Sequence, residues 1–179
     1  MNVVLQSILG SAAEVTAASM GWIAVPVGDR LEVVAAVGAV DLVGASVPGG
    51  AGTAAYVLAS GQPIAMVPQP DDANATDGVA ARAGVRPTAV LCVPCAHDDE
   101  MLGVLELVDK PGGAGFTFDD VELVTVLANI AGSVLRSSAA GSDVRSPEEL
   151  FADLRQLANA DPTAYIGVAA VLEALLARG

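Results

Sequence analysis

Along residues 2–19 the apolar positions Val4, Leu5, Ile8, Leu9, Ala12 and Val15 recur at three- and four-residue spacing, with Thr16 on the same face. That period predicts an amphipathic helix, and Gly21 supplies a left-handed stop. Trp22–Val27 and Leu31–Val37 then read as strands joined by the turn residues Gly28, Asp29 and Arg30, a hairpin. Pro26 has no N–H to give to a ladder and belongs near a strand end or an edge. The flexible run Pro48–Gly52 opens a helix over Thr53–Ser60, closed by Gly61 and Pro63, and Ile64–Val67 is a short strand. A polar loop over 68–78 leads to a short helical piece at Val79–Ala83; a long irregular stretch of this kind is where binding loops tend to sit.

Thr88–Cys95 and Met101–Asp109 form a second hairpin around His97, Asp98, Asp99 and Glu100. Both strands are apolar on both faces, as strands inside a covered sheet must be. After the loop Lys110–Gly115, Asp119 or Asp120 caps a long helix reaching about Arg136, with carboxylates at the positive end of its dipole. This helix carries two apolar stripes, Leu123/Leu127/Ile130/Val134 and Val124/Ala128/Ala131/Leu135. One stripe can cover the sheet; the other needs a second partner. A Ser/Ala/Gly linker follows at 137–146, where Ser146-Pro147-Glu148-Glu149 is a capping box with Pro at the first helical position. Asp161-Pro162 repeats the device, so 147–179 reads as a helical hairpin. Helix, hairpin, helix, strand, loop, hairpin, helix is the order of an α+β domain with helices packed on an antiparallel sheet, an α/β sandwich.

Composition narrows the function. The chain has 179 residues, 53% hydrophobic but only 3% aromatic, enough for one buried domain and an appendage. Eight basic against twenty-one acidic residues leave a formal charge of -13. Phosphate backbones and anionic membranes are bound mainly through Lys and Arg, so neither nucleic acid nor membrane is an expected partner. The N-terminal residues lack a basic n-region, no run is long enough to span a bilayer, and two cysteines make no disulfide framework. The cytoplasm is the expected location.

Gly50-Ala-Gly52, Ala59-Ser-Gly61-Gln-Pro63-Ile64, Val93-Pro94, Leu102–Lys110 and Phe116-Thr-Phe-Asp-Asp120 stand in an order and at spacings that resemble the GAF family, over residues 1–136. The form is that of a small actinobacterial-like sensor module. The resemblance implies a GAF-like central antiparallel sheet flanked by helices and a non-catalytic, signalling role. GAF domains that bind cyclic nucleotides carry an Asn-Lys, Phe, Asp-Glu signature here. Lys110, Phe116 and Asp120 fall on three of those positions, while Asp109 replaces the Asn and Val121 the Glu. Those departures argue against a cyclic nucleotide and leave the ligand, and any cofactor, unassigned.

The candidate chemistry is sparse. Cys92-Val-Pro-Cys95 lies along a strand, where residues three apart point to opposite faces, and has no cation beside it to lower a thiol pKa. Core packing is the expected role, with redox chemistry of the kind used by GAF-fold enzymes that reduce free methionine sulfoxide as the alternative. Two thiols alone make no zinc site. His97, the only histidine, falls in the hairpin turn rather than in a haem or bilin pocket. Glu106 interrupts an apolar strand on the face of Leu102, Val104 and Val108, and either pairs structurally or lines a ligand pocket. Arg82 and Arg86 follow the polar loop and offer planar donors to an anionic ligand, or sit solvated. The second apolar stripe and the flanking helices lead to the expectation of a homodimer. The reading is a sensory module that binds a small molecule or a signalling protein, acting by association or as part of a longer protein; an interaction scaffold with a vestigial pocket is the alternative.

Overall fold

The computed structural model describes residues 3–38, 42–50, 52–69 and 78–142, with isolated positions beyond. The chain divides into two compact units, 1–138 and 139–179. Residues 70–77 of the expected polar loop (68–78) and most of the expected tail hairpin lie outside the described residues.

The described elements follow the expected order with one strand, β3, added: α1 (Val3–Thr16), β1 (Met20–Val27), β2 (Arg30–Val37), β3 (Ser46–Pro48), α2 (Gly52–Ser60), β4 (Ile64–Met66), α3 (Val79–Ala83), β5 (Val90–His97), β6 (Glu100–Val108) and α4 (Phe118–Ser142), with a 3-10 turn at Pro111–Gly113. The strands form one six-stranded sheet in the order β3-β2-β1-β6-β5-β4, all neighbours antiparallel. The hairpin strands β5 and β6 sit inside the sheet and are buried on both faces, as their unbroken apolar runs require.

Alternation along the strands separates two cores. On one face, Ile23, Leu91, Val93, Cys95, Leu105 and Leu107 meet Leu5, Leu9 and Ala12 of α1 and Val124, Ala128 and Ala131 of α4. On the other, Trp22, Ala24, Val33, Val90, Cys92, Val104 and Val108 meet Ala54 and Val57 of α2 and Val79 and Ala80 of α3. Burying each Leu- or Val-sized side chain contributes roughly 1.5–3 kcal/mol.

Several boundaries differ from the sequence-based expectation, each for a local reason. The first helix stops at Thr16, because Ala17 takes the left-handed conformation (φ 56°) and the Ala18 N–H donates back to the Ala13 carbonyl at 2.8 Å. Gly21 is not the stop; it lies in β1, where a Cβ would come within 2.6 Å of the Leu107 side chain and 2.9 Å of the Glu106 carbonyl oxygen. The α4 cap is Thr117 rather than an aspartate: the Asp120 N–H donates to Thr117 Oγ1 at 3.2 Å and Asp120 Oδ2 accepts the Thr117 N–H at 2.7 Å, a reciprocal box. The same helix runs past Arg136 to Ser142, through residues expected to begin a linker. The second hairpin turns more tightly than expected, on Asp98 and Asp99, both left-handed (φ 48° and 64°), and His97 ends β5.

Candidate functional site

Strand register brings three chemically distinct side chains into one row. Trp22 on β1 pairs with Glu106 on β6, and Glu106 pairs with Cys92 on β5. All three face α2 and α3. Thr53, in the first turn of α2, reaches down and donates its hydroxyl to Glu106 Oε2 at 2.8 Å. Glu106 is 4% exposed and Thr53 5%. The Trp22 indole N–H, equally enclosed, has no hydrogen-bond partner among the described residues. An unpartnered buried donor of this kind costs on the order of 1–3 kcal/mol and calls for an explanation.

Burial pushes the Glu106 carboxyl up to about 7, against the opposing pull of hydrogen bonds from Thr53 and the Cys92 thiol. The charged form is disfavoured because no basic side chain pairs with it among the described residues. Cys92 is raised well above the ordinary thiol value, by burial first and then by the charge of Glu106. Burial alone pushes Cys95 up to about 12. The two thiols belong to opposite cores, Cys92 under α2 and α3 and Cys95 under α1 and α4. Neither is a ready nucleophile.

The arginines do not join this row. Arg82 lies in the last turn of α3 and Arg86 just beyond it, both exposed, and no ion pair links either to Glu106. His97 is half-buried beside the helix, its Nδ1 3.2 Å from Ser133 Oγ and its Nε2 3.4 Å from Asp98 Oδ2. Among the described residues no group of three His, Cys, Asp or Glu side chains is placed to hold a metal ion, and no helix is long and apolar enough to cross a membrane. Sequence reasoning found Glu106 and Cys92 but missed Trp22 and Thr53. Pairing the strands through Trp22 and Glu106 would have exposed the first; Thr53 carried no local signal.

A second polar cluster holds the entry to α4. Lys110 Nζ lies 2.8 Å from Asp120 Oδ2 and 5.4 Å from the centroid of the Phe116 ring. Burial raises the Asp120 carboxyl, but the bonds from Lys110 and Thr117 outweigh it and hold the group below its ordinary value. Asp109 takes a left-handed backbone (φ 58°), and its Oδ1 accepts the Thr88 N–H at 2.6 Å and the Thr88 hydroxyl at 2.8 Å. The carboxylate thus secures the start of β5 to the end of β6. On the outer side of the helical layer, a groove of 630 Å³ runs between α1 and α4, lined by Ser11, Val15, Asp119, Glu122, Leu123, Val126 and Leu127. Leu123 and Ile130 of the first-named stripe are exposed, as is Val126 beside them, while Leu127 and Val134 of that stripe are half-buried against the core.

Sheet order, two-sided core and the Lys110–Phe116–Asp120 clasp define a small α+β domain with helices on both faces of one antiparallel sheet, and the match to known families agrees. The chain belongs to the GAF domain family, which residues 1–136 match. Among solved structures it is similar to the GAF-B domain of DevS from Mycobacterium smegmatis, with 20% identity and a TM-score of 0.62 over 80% of this chain and 98% of that one. A GAF domain of a Coxiella burnetii phosphoenolpyruvate-protein phosphotransferase gives 18% identity and a TM-score of 0.66 over 77% and 84%. A type II free methionine-R-sulfoxide reductase from Thermoplasma acidophilum gives 15% and 0.62 over 74% and 90%. At such identities the likeness is one of fold. No curated protein sequence matches the chain.

Proposed function

We propose that the chain is a non-catalytic sensory module of the cytoplasm, whose GAF domain binds a small molecule on the α2–α3 side of the sheet and which assembles as a homodimer through α1 and α4. The observation that carries the ligand reading is the row itself: among the described residues, a buried carboxyl with no cation and a buried indole N–H with no acceptor, under two short helices. Polar groups left unmatched inside an apolar core are costly, and a ligand that matches them removes the cost. The solved GAF-fold neighbours include the far-red cyanobacteriochrome photoreceptor as well as the reductase, so the fold accommodates both sensing and catalysis. The thiols favour sensing. Cys92 and Cys95 face different cores and are held protonated by burial, which is unsuited to paired thiol chemistry.

The homodimer rests on the exposed apolar stripe of α4 beside Val15 of α1. Native mass spectrometry on gently purified protein tests both halves. The expected spectrum is a dimer retaining one small molecule per protomer. An empty dimer would favour a scaffold with a vestigial pocket, and a monomer would remove the assembly reading.

A further inference from the structure

The row under α2 and α3 is unbalanced in a specific direction. Its inward polar atoms are the Glu106 carboxyl, the Thr53 hydroxyl, the Cys92 thiol and the Trp22 indole N–H. Among the described residues no Lys or Arg pairs with Glu106, so an anion entering here would meet a carboxylate and no counter-charge from them. A cation would meet a carboxylate, which attracts it strongly where water is excluded, with the Trp22 indole one strand away. The unpartnered indole N–H then takes an acceptor atom on the same ligand. Neighbouring strands lie about 4.8 Å apart, so one ring-sized body can span the two.

We propose that this face binds a small organic cation, an ammonium or amidinium on a compact body that also carries an ether or carbonyl oxygen, with Glu106 as counter-ion and Trp22 as donor. The proposal rests on the sensory reading above and adds the ligand's charge to it. The cover is suited to admitting such a body. Both short helices present small side chains to the row (Thr53, Ala54 and Val57; Val79 and Ala80), and α3 lies between Gly78 and Gly84, left-handed at φ 73° and 70°.

A proton accompanies the ligand. Glu106 is held near about 7 by burial, and a cation pairs with the ionised form, so binding expels the proton. Affinity should then rise about tenfold per pH unit below 7 and level off above it. Little else on the packed elements can mimic this. On β5 the Cys92 thiol is pushed far above this range; on α2 Tyr56 and on α3 Arg82 are exposed; on β2 Arg30 is engaged with Ser46, and Glu32 lines a separate hollow with Leu135. On β1 the row contributes only Trp22.

The test is calorimetric titration of the full chain with 4-methoxybenzamidinium, 4-methoxybenzamide and 4-methoxybenzoate, one body in three charge states, between pH 5.5 and 8. The cation should bind at least tenfold more tightly than the amide or the acid at pH 8, and should lose affinity on acidification. Glu106→Gln should weaken the cation at least tenfold and abolish the pH slope. If that variant does not fold, the pH slope of the unaltered protein discriminates between the same two outcomes. Benzoate binding as tightly as the amidinium, an unchanged Glu106→Gln, a flat pH profile or no saturable cation binding overturns the proposal. A small molecule retained in native mass spectrometry alongside any of those results would leave the sensory reading standing and remove only the charge assignment.

Discussion

At the scale of single residues, Glu106 and Asp120 pull stability in opposite directions as pH changes. Burial raises Glu106 from 4.5 to about 7, so between those values the folded protein holds a proton that the unfolded chain has released. Its contribution is therefore fully present below about 4.5 and is lost as pH rises to about 7, at most about 3 kcal/mol in all. Asp120 is lowered, so its contribution is present above the ordinary carboxyl value and is lost as pH falls through the folded one. Glu106→Gln keeps the shape and an oxygen for the Thr53 hydroxyl but cannot ionise. Urea unfolding should find this variant close to the unaltered protein at pH 4.5 and more stable by about 2–3 kcal/mol at pH 8. A difference that is the same at both pH values would show that Glu106 does not titrate as the buried geometry requires.

At the scale of elements, the docking of α4 depends on one close approach. Gly132 lies against the backbone of Ala96, beside the register shift in β5, and a Cβ there would overlap the Ala96 carbonyl oxygen. Nearby, Arg136 Nη1 bonds Glu100 Oε2 at 2.7 Å, tying the helix to the same hairpin. Gly132→Ala should lower stability by about 1–3 kcal/mol despite the better helix propensity of alanine, read as a drop in melting temperature. A stabilised variant would mean that helix and strand are not in this contact. The helices and the inner strands were legible in the sequence because each carries a long, one-period pattern; Val79–Ala83 was placed to the residue. Strand β3 was not, since Val47 is its one buried residue and Pro48 has no N–H to pair. The end of α1 was misplaced because an alanine, Ala17, holds the left-handed position that glycine usually occupies. Glu106 stood out as a charge in an apolar run, whereas the Trp22 orphan arises only from packing and has no trace in local pattern.

At the scale of the whole molecule, charge and apolar surface compete. The groove between α1 and α4 has an apolar floor of Val15, Leu123, Val126 and Leu127 with Asp119 and Glu122 at its rim, on a chain of net charge -13. Two copies meeting there bury apolar area while bringing like charges together. Salt screens the repulsion and leaves the burial, since the Debye length falls from about 10 Å at 0.1 M to about 3 Å at 1 M. Sedimentation should therefore show the proposed dimer tightening as salt is raised, and Val126→Glu should shift the chain towards monomer; weaker association at high salt would point to an ionic interface elsewhere. The alternation of β6 has a consequence for how such a protein can diversify. Its residues Leu105 and Leu107 serve the helical face while Glu106 between them serves the other. A single codon change at position 106 can therefore alter the chemistry of the row under α2 and α3 while leaving the helical layer untouched. Losing or gaining one residue within the strand would exchange the two faces at once. Lineages descended from this architecture should vary freely in the chemistry of that position and hardly at all in the length of the strand that carries it.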